Sequence, residues 1–134
     1  MNLSCHWRVL GTDNNPAIVL IHGFGASSSH WRHNAAALVK AGFQVFSLDL
    51  IGFGRSGQPG LSRRFSLDNR LWAEQLAAFL EEIVQRPAVI VGNSLGGLTA
   101  VTTAALRPEL VRAAVAAPLP LSLIHISEPT RRDQ

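Results

Sequence analysis

Five residues, Gly92-Asn93-Ser94-Leu95-Gly96, place a serine midway between two glycines. A G-x-S-x-G segment suits nucleophilic chemistry when it sits on a sharp strand-to-helix turn. The turn lifts the hydroxyl clear of its neighbours, and the glycines keep side chains out of the space the turn and a substrate need. Here the context agrees. The run Pro87-Ala88-Val89-Ile90-Val91 before it reads as a strand buried on both faces, and after it Leu95, Leu98, Val101 and Ala105 recur at helical spacing. Ser94 is therefore the candidate nucleophile. The pattern alone is weak, and it is this context that sets it above the alternative, a glycine turn that only joins a strand to a helix.

The elements that must position this turn follow along the chain. Ala17-Ile18-Val19-Leu20-Ile21 reads as a buried strand, and residues 28–41 as a helix with Trp31, Ala35, Leu38 and Val39 inward. Residues 44–50 form the next strand, and residues 52–66, rich in glycine and polar side chains, form a loop. Asp68 caps a helix whose Trp72, Leu76, Phe79, Leu80 and Ile83 make one apolar face. A strand over 88–93, a helix over 95–107 and an apolar run over 111–118 complete the series, with residues 6–11 as an added edge strand. Strands alternating with helices at these lengths predict parallel crossover units in an α/β fold.

Two further motifs stand at strand ends: His22-Gly23-Phe24-Gly25 after the first buried strand and Asp49-Leu50-Ile51-Gly52-Phe53-Gly54-Arg55-Ser56 after the second. With Gly92-Asn93-Ser94-Leu95-Gly96-Gly97 after the third, they resemble the α/β-hydrolase superfamily over roughly residues 6–120. The run 22–34, with Asn93 before the serine, is similar to the pheophytinase-like hydrolases of photosynthetic organisms. The resemblance implies the N-terminal part of an α/β-hydrolase fold, a mostly parallel sheet with flanking helices, and a serine hydrolase acting on an ester.

Acyl transfer requires that the tetrahedral oxyanion formed by Ser94 attack meet backbone N–H groups already aimed at it. Leu95 N–H, just past the serine at a helix N-terminus, is one candidate donor. The resemblance supplies the other, Phe24 N–H, in a loop that Gly23 and Gly25 leave open, with the Phe24 side chain helping to line the pocket. It also gives His22 a loop-holding role rather than that of general base, since the catalytic histidine of this fold comes late in the chain. Asp49 is likewise a loop-organising carboxylate, and His30 and His33 are helix-surface residues. Gly92 and Gly96 support the turn.

Gly52-Phe53-Gly54-Arg55-Ser56-Gly57 also matches the G-x-G-x-x-G of dinucleotide-binding folds. That fingerprint opens directly into a helix, whereas Gln58-Pro59-Gly60 follows here and the helix waits until Asp68. A further reading, a non-catalytic homologue used as a binding protein, is opposed by the intact serine and glycines, although fold alone never fixes function.

A serine hydrolase of this fold needs an acid and a histidine after the serine. Beyond Ser94 the only acids are Glu109, Glu128 and Asp133, and the only histidine is His125. Residues 121–131, Leu-Ser-Leu-Ile-His-Ile-Ser-Glu-Pro-Thr-Arg, are residue for residue the first-frame translation of a transposon-type sequencing adapter. The expectation is therefore a hydrolase domain portion over 1–120 and an adapter-derived artefact over 121–134, with acid, base and lid regions outside the record. Such a piece is expected to be poorly soluble, because its sheet edge and apolar faces lack their covers.

Composition bounds the remaining classes. The 134 residues, 47% hydrophobic and 16% charged, suit one compact domain. A net charge of +3, with Arg63-Arg64 the only adjacent basic pair before residue 121, gives nucleic-acid binding little support. Cys5 is the single cysteine, so no internal disulfide forms and no metal spacing exists; no cofactor or metal is implied. No stretch approaches the roughly 18 apolar residues of a membrane span, and a cytoplasmic location is the default. The expected partner is a small-molecule, hydrophobic ester.

Overall fold

The computed structural model describes residues 4–57 and 68–117. The expectations on residues 58–67 and on 118–134, including His125, Glu128 and the adapter-like segment, lie outside the described residues. Among the described residues five strands form one sheet: β1 (Trp7–Leu10), β2 (Ala17–Ile21), β3 (Gln44–Leu48), β4 (Ala88–Gly92) and β5 (Val111–Ala116). Their order across the sheet is β1-β3-β2-β4-β5. All neighbours run parallel except β1, which joins the edge antiparallel to β3 with Trp7 opposite Leu48.

Three main helices among the described residues cover the sheet: α1 (Arg32–Lys40), α2 (Asn69–Phe79) and α3 (Leu95–Leu106). A short 3₁₀ turn, Ser28–Trp31, leads into α1, so the helix expected over 28–41 starts tighter than drawn. Side-chain alternation along β2 divides the core. Ala17, Val19 and Ile21 meet α2 and α3 on one face together with Trp72, Leu76 and Leu80, while Ile18 and Leu20 pack with Ala35 of α1 on the other. A central strand buried on both faces must be apolar throughout, which is the pattern of Ala17-Ile18-Val19-Leu20-Ile21.

From β2 the chain crosses to β3 on one side and then returns past it to β4 on the other. The carboxyl ends of β2 and β4 thus flank the point where winding reverses, where open α/β sheets form a crevice. All three loop motifs of the sequence emerge at this edge of the sheet.

Two helix faces differ from expectation. In α2, Asp68 caps as predicted, its carboxylate accepting the Leu71 N–H at 2.9 Å, but Ile83 is 39% exposed. The chain widens after Phe79 into a π-turn, Leu80–Val84, closed by Gln85 N–H on the Leu80 carbonyl. The added residue per turn rotates Ile83 outward and buries Val84 instead. In α3 Leu95 is buried as its spacing predicts, but the rest of the buried face is Gly96, Gly97, Thr99, Ala100 and Thr103; Leu98 is half-buried, and Val101 and Ala105 are exposed. Small residues let this helix lie directly on the strands, and the two threonine hydroxyls enter the core because each donates one turn back, to Leu95 O and Thr99 O. Among the described residues no helix is long and apolar enough to cross a membrane.

The face assignment of α3 is open to direct measurement. Ala100→Leu should overpack the helix–sheet seam and lower unfolding free energy by about 1–3 kcal/mol, while Val101→Thr should stay within about 0.5 kcal/mol. Urea unfolding that ranked the two variants the other way would put the helix on its Leu98–Val101 side.

Candidate active site

Ser94 occupies the turn between β4 and α3 with φ 56° and ψ −114°. A non-glycine residue held at positive φ costs about 1–3 kcal/mol and persists only where its surroundings enforce it. They do so by crowding. A Cβ on Gly92 would overlap the Gly96 carbonyl, and one on Gly96 would overlap the carbonyl oxygens of Ile21 and His22. These glycines are needed for close approach, and neither has a positive φ. The Asn93 N–H donates to Ile21 O at 3.1 Å, tying the turn to the end of β2.

The loop after β2 lies against this turn. At Gly23 a Cβ would stand 3.4 Å from the Ser94 Cβ and 3.2 Å from the Asn93 carbonyl. Gly25 has φ +75° with open space beside it, so backbone conformation requires glycine there. Leu95 N–H is at the first position of α3, where a helix leaves its amides without internal acceptors and concentrates partial positive charge. Neither Leu95 N–H nor Phe24 N–H donates to an acceptor among the described residues. Ser94, Phe24 and Leu95 are thus brought to the same edge of the sheet. No general base contacts Ser94 there among the described residues.

His22 is fully buried and occupied at both ring nitrogens. Its Nε2 accepts the Leu50 N–H at 2.9 Å, which requires that nitrogen to be unprotonated, so Nδ1 carries the hydrogen and donates to Gly23 O at 2.7 Å. Burial is the main reason its pKa falls below the ordinary value; the bond to Gly23 and the Asp49 charge oppose this, and His30 adds to it. Both ring nitrogens are thus committed to backbone groups of the two loops.

Asp49 organises the third loop. Its buried carboxylate accepts the Ser28 N–H at 2.5 Å and the Arg55 N–H at 2.8 Å. Burial pushes its pKa up, but the Arg55 and Ser28 amides, the Ser28 hydroxyl and His22 together outweigh burial and leave it below the usual value. Gly54, at φ +54°, closes on this carboxylate so tightly that a Cβ would overlap it. Within the G-x-G-x-x-G match Gly54 and the Arg55 N–H therefore close on Asp49, and among the described residues the next helix begins at Asn69. Among the described residues that geometry offers no helix N-terminus to a pyrophosphate.

Aromatic side chains of the two loop motifs and one residue outside every motif, Gln75, complete the edge. Phe24 is 78% exposed, and its ring meets Phe53 edge-on at 5.3 Å; Phe53 in turn meets His22 at 5.6 Å and Trp72 at 5.9 Å. Gln75 reaches the 49–51 backbone from α2. The only sequence signal for it is a polar residue between the inward Trp72 and Leu76. Among the described residues no group of three or more His, Cys, Asp or Glu could hold a metal ion.

Two outcomes follow. Gly96→Ala should destabilise the fold by about 3 kcal/mol, since the neighbouring carbonyls belong to a central strand that cannot retreat; a loss under about 0.5 kcal/mol in urea unfolding would deny the close approach. The acid response should have two stages. The unfolded chain takes up a proton at His22 near the ordinary 6.5 and at Asp49 near the ordinary 3.8, whereas the folded state takes each up only at lower pH. Stability should therefore decline as pH falls below about 6.5 and again below about 3.8. His22→Gln should remove the first decline, and its persistence in melts of that variant would contradict the assignment.

Comparison with known proteins agrees with this geometry. The profile of the alpha/beta hydrolase fold matches residues 16–129. Bifunctional epoxide hydrolase 2 of Rattus norvegicus is 34% identical over 116 residues, covering 87% of this chain and 20% of that protein. The chloroplastic pheophytinase of Arabidopsis thaliana is 30% identical, covering 82% and 28%. Among solved structures, a bacterial membrane phospholipase A superposes with TM-score 0.74 at 38% identity, covering 82% of this chain and 34% of that one. The chain thus spans about a fifth to a third of these relatives. With its sheet order, its strained serine turn and this profile match, the chain belongs to the α/β-hydrolase family.

Proposed function

We propose that the full-length protein is a serine hydrolase that cleaves an ester through Ser94. The observation that carries this reading is the serine held at φ 56° at the N-terminus of α3, next to a loop whose Phe24 N–H has no acceptor among the described residues. Ser94 Oγ attacks the ester carbonyl carbon. The oxygen that gains the charge is met by the Phe24 and Leu95 N–H groups, and collapse of the intermediate expels the alcohol and leaves an acyl-serine for water to hydrolyse. Donors fixed in advance act on charge that develops only in the transition state, and removing one costs about 10²–10³ in rate.

This reading treats residues 121–131 as adapter-derived and takes the acid and the histidine from the sequence they replace, which unbroken reads of the source DNA across codon 120 test. Epoxide chemistry of the kind named for the rat relative uses a carboxylate nucleophile in this fold, and position 94 is serine. The exposed Phe24 ring, backed by Phe53, favours a hydrophobic acyl or alcohol group, and the names of the phospholipase and pheophytinase relatives support an ester of that kind, a phytol ester among them. The lone cysteine suits a cytoplasmic protein.

The extended protein should hydrolyse 4-nitrophenyl esters, with kcat/KM rising from acetate toward longer acyl chains. Ser94→Ala should lower kcat by more than about a thousandfold. Retention of activity by Ser94→Ala would overturn the assignment of the nucleophile.

A further inference from the structure

The Asp49–Leu50 peptide group is held at both ends. Its N–H donates to His22 Nε2 at 2.9 Å, and its carbonyl accepts the Gln75 side-chain amide at 3.0 Å and the Ser56 hydroxyl at 2.5 Å. Gln75 also uses its oxygen, which accepts the Ile51 N–H at 2.8 Å, so the two ends of one amide side chain fix the peptides on either side of Leu50. Trp72, one turn earlier on α2, donates to the Ile51 carbonyl at 2.9 Å. On the far side of the imidazole, Nδ1–H donates to Gly23 O, the carbonyl of the same peptide group whose N–H belongs to Phe24.

These bonds form a single directed chain: Gln75 amide, 49–50 peptide, His22 imidazole, 23–24 peptide. Each group donates to the carbonyl or ring nitrogen of the next, which polarises that group's own donor, and hydrogen bonds linked in this way strengthen one another. We propose that Gln75 is a positioning residue for the oxyanion donor at Phe24, acting by orienting the 49–50 peptide and so fixing the Nδ1–H form of His22. A flip of that peptide would withdraw the N–H from Nε2. The ring would then be free to take the other tautomer, and the Gly23 carbonyl would lose the donor that orients its peptide. The proposal rests on the Ser94 acyl-transfer reading, because only there does the direction of the Phe24 N–H affect rate.

The test compares the extended protein with its Gln75→Met and Gln75→Glu variants, counting active sites by stoichiometric labelling with a fluorophosphonate and measuring kcat per labelled site. Gln75→Met should lower kcat per site by about 100-fold, with KM for 4-nitrophenyl butyrate within about threefold, and nitrogen-15 spectra of His22 should change from the Nδ1–H form to a mixture. Gln75→Glu keeps the acceptor for Ile51 but faces the Asp49 carbonyl with a second oxygen. Its activity relative to wild type should recover as pH falls and the new carboxyl takes up the proton it needs to donate. A residue that only stabilises the fold would reduce the number of labelled sites and the melting temperature while leaving kcat per site and the His22 tautomer unchanged, and that result would overturn the proposal. If Gln75→Met yields no folded protein, the pH-dependent ratio for Gln75→Glu decides: recovery supports the proposal and a flat ratio defeats it. Failure of the wild-type protein to be labelled at Ser94 would defeat the acyl-transfer reading and the proposal with it, a result distinct from normal labelling with an unchanged kcat in the variants.

Discussion

The bond from Leu50 N–H to His22 Nε2 joins two loops that leave neighbouring strands, and the geometry of the site edge depends on it. It keeps the imidazole neutral and directs the other ring nitrogen to the Gly23 carbonyl, so the loop beside Ser94 is set by a group in the second layer behind it. Protonating His22 would break that bond and leave a buried N–H without a partner, at a cost of about 1–3 kcal/mol. Asp49, next to Leu50, gathers the Ser28 and Arg55 amides and thereby joins the α1 approach and the 52–57 turn to the same point. The serine turn after β4 adds a steric constraint, the overlap that any side chain on Gly92 or Gly96 would cause, to the Asn93 N–H bond that ties it to β2.

Much of this was legible in the sequence because the decisive residues have few alternatives. Ala17 through Ile21 are apolar without interruption because β2 is covered on both faces. The Asp68 cap is a local interaction that needs no knowledge of the rest of the chain. His22, Asp49 and Ser94 were found by motif, and the structure places them at the ends of β2, β3 and β4, which lie side by side in the sheet.

What escaped reading depends on tertiary contact. Apolar spacing pointed α3 toward Leu98 and Val101, yet the helix is held by how closely its backbone can approach the strands, and there glycine, alanine and hydrogen-bonded threonine are preferred to leucine. Ile83 fits the helical period, but the π-turn at Leu80 changes that period where the helix ends. Gln75 carries only the weak signal of a polar residue beside the inward Trp72 and Leu76, and Phe53, though inside a motif, carries none for its ring contacts. The partners of Gln75 lie in the loop after β3, brought to it by the packing of α2, and Phe53 meets His22 where two loops adjoin.

The central claim is that Ser94 attacks and that the Phe24 and Leu95 amides receive the resulting charge. The most direct measurement is a crystal structure of the extended protein after reaction with a phosphonate ester, whose tetrahedral adduct stands in for the acyl-transfer intermediate. The account predicts phosphorus on Ser94 Oγ, with one phosphonyl oxygen about 2.7–3.1 Å from both Phe24 N and Leu95 N. An adduct on another residue, or a phosphonyl oxygen turned away from both amides, would contradict it.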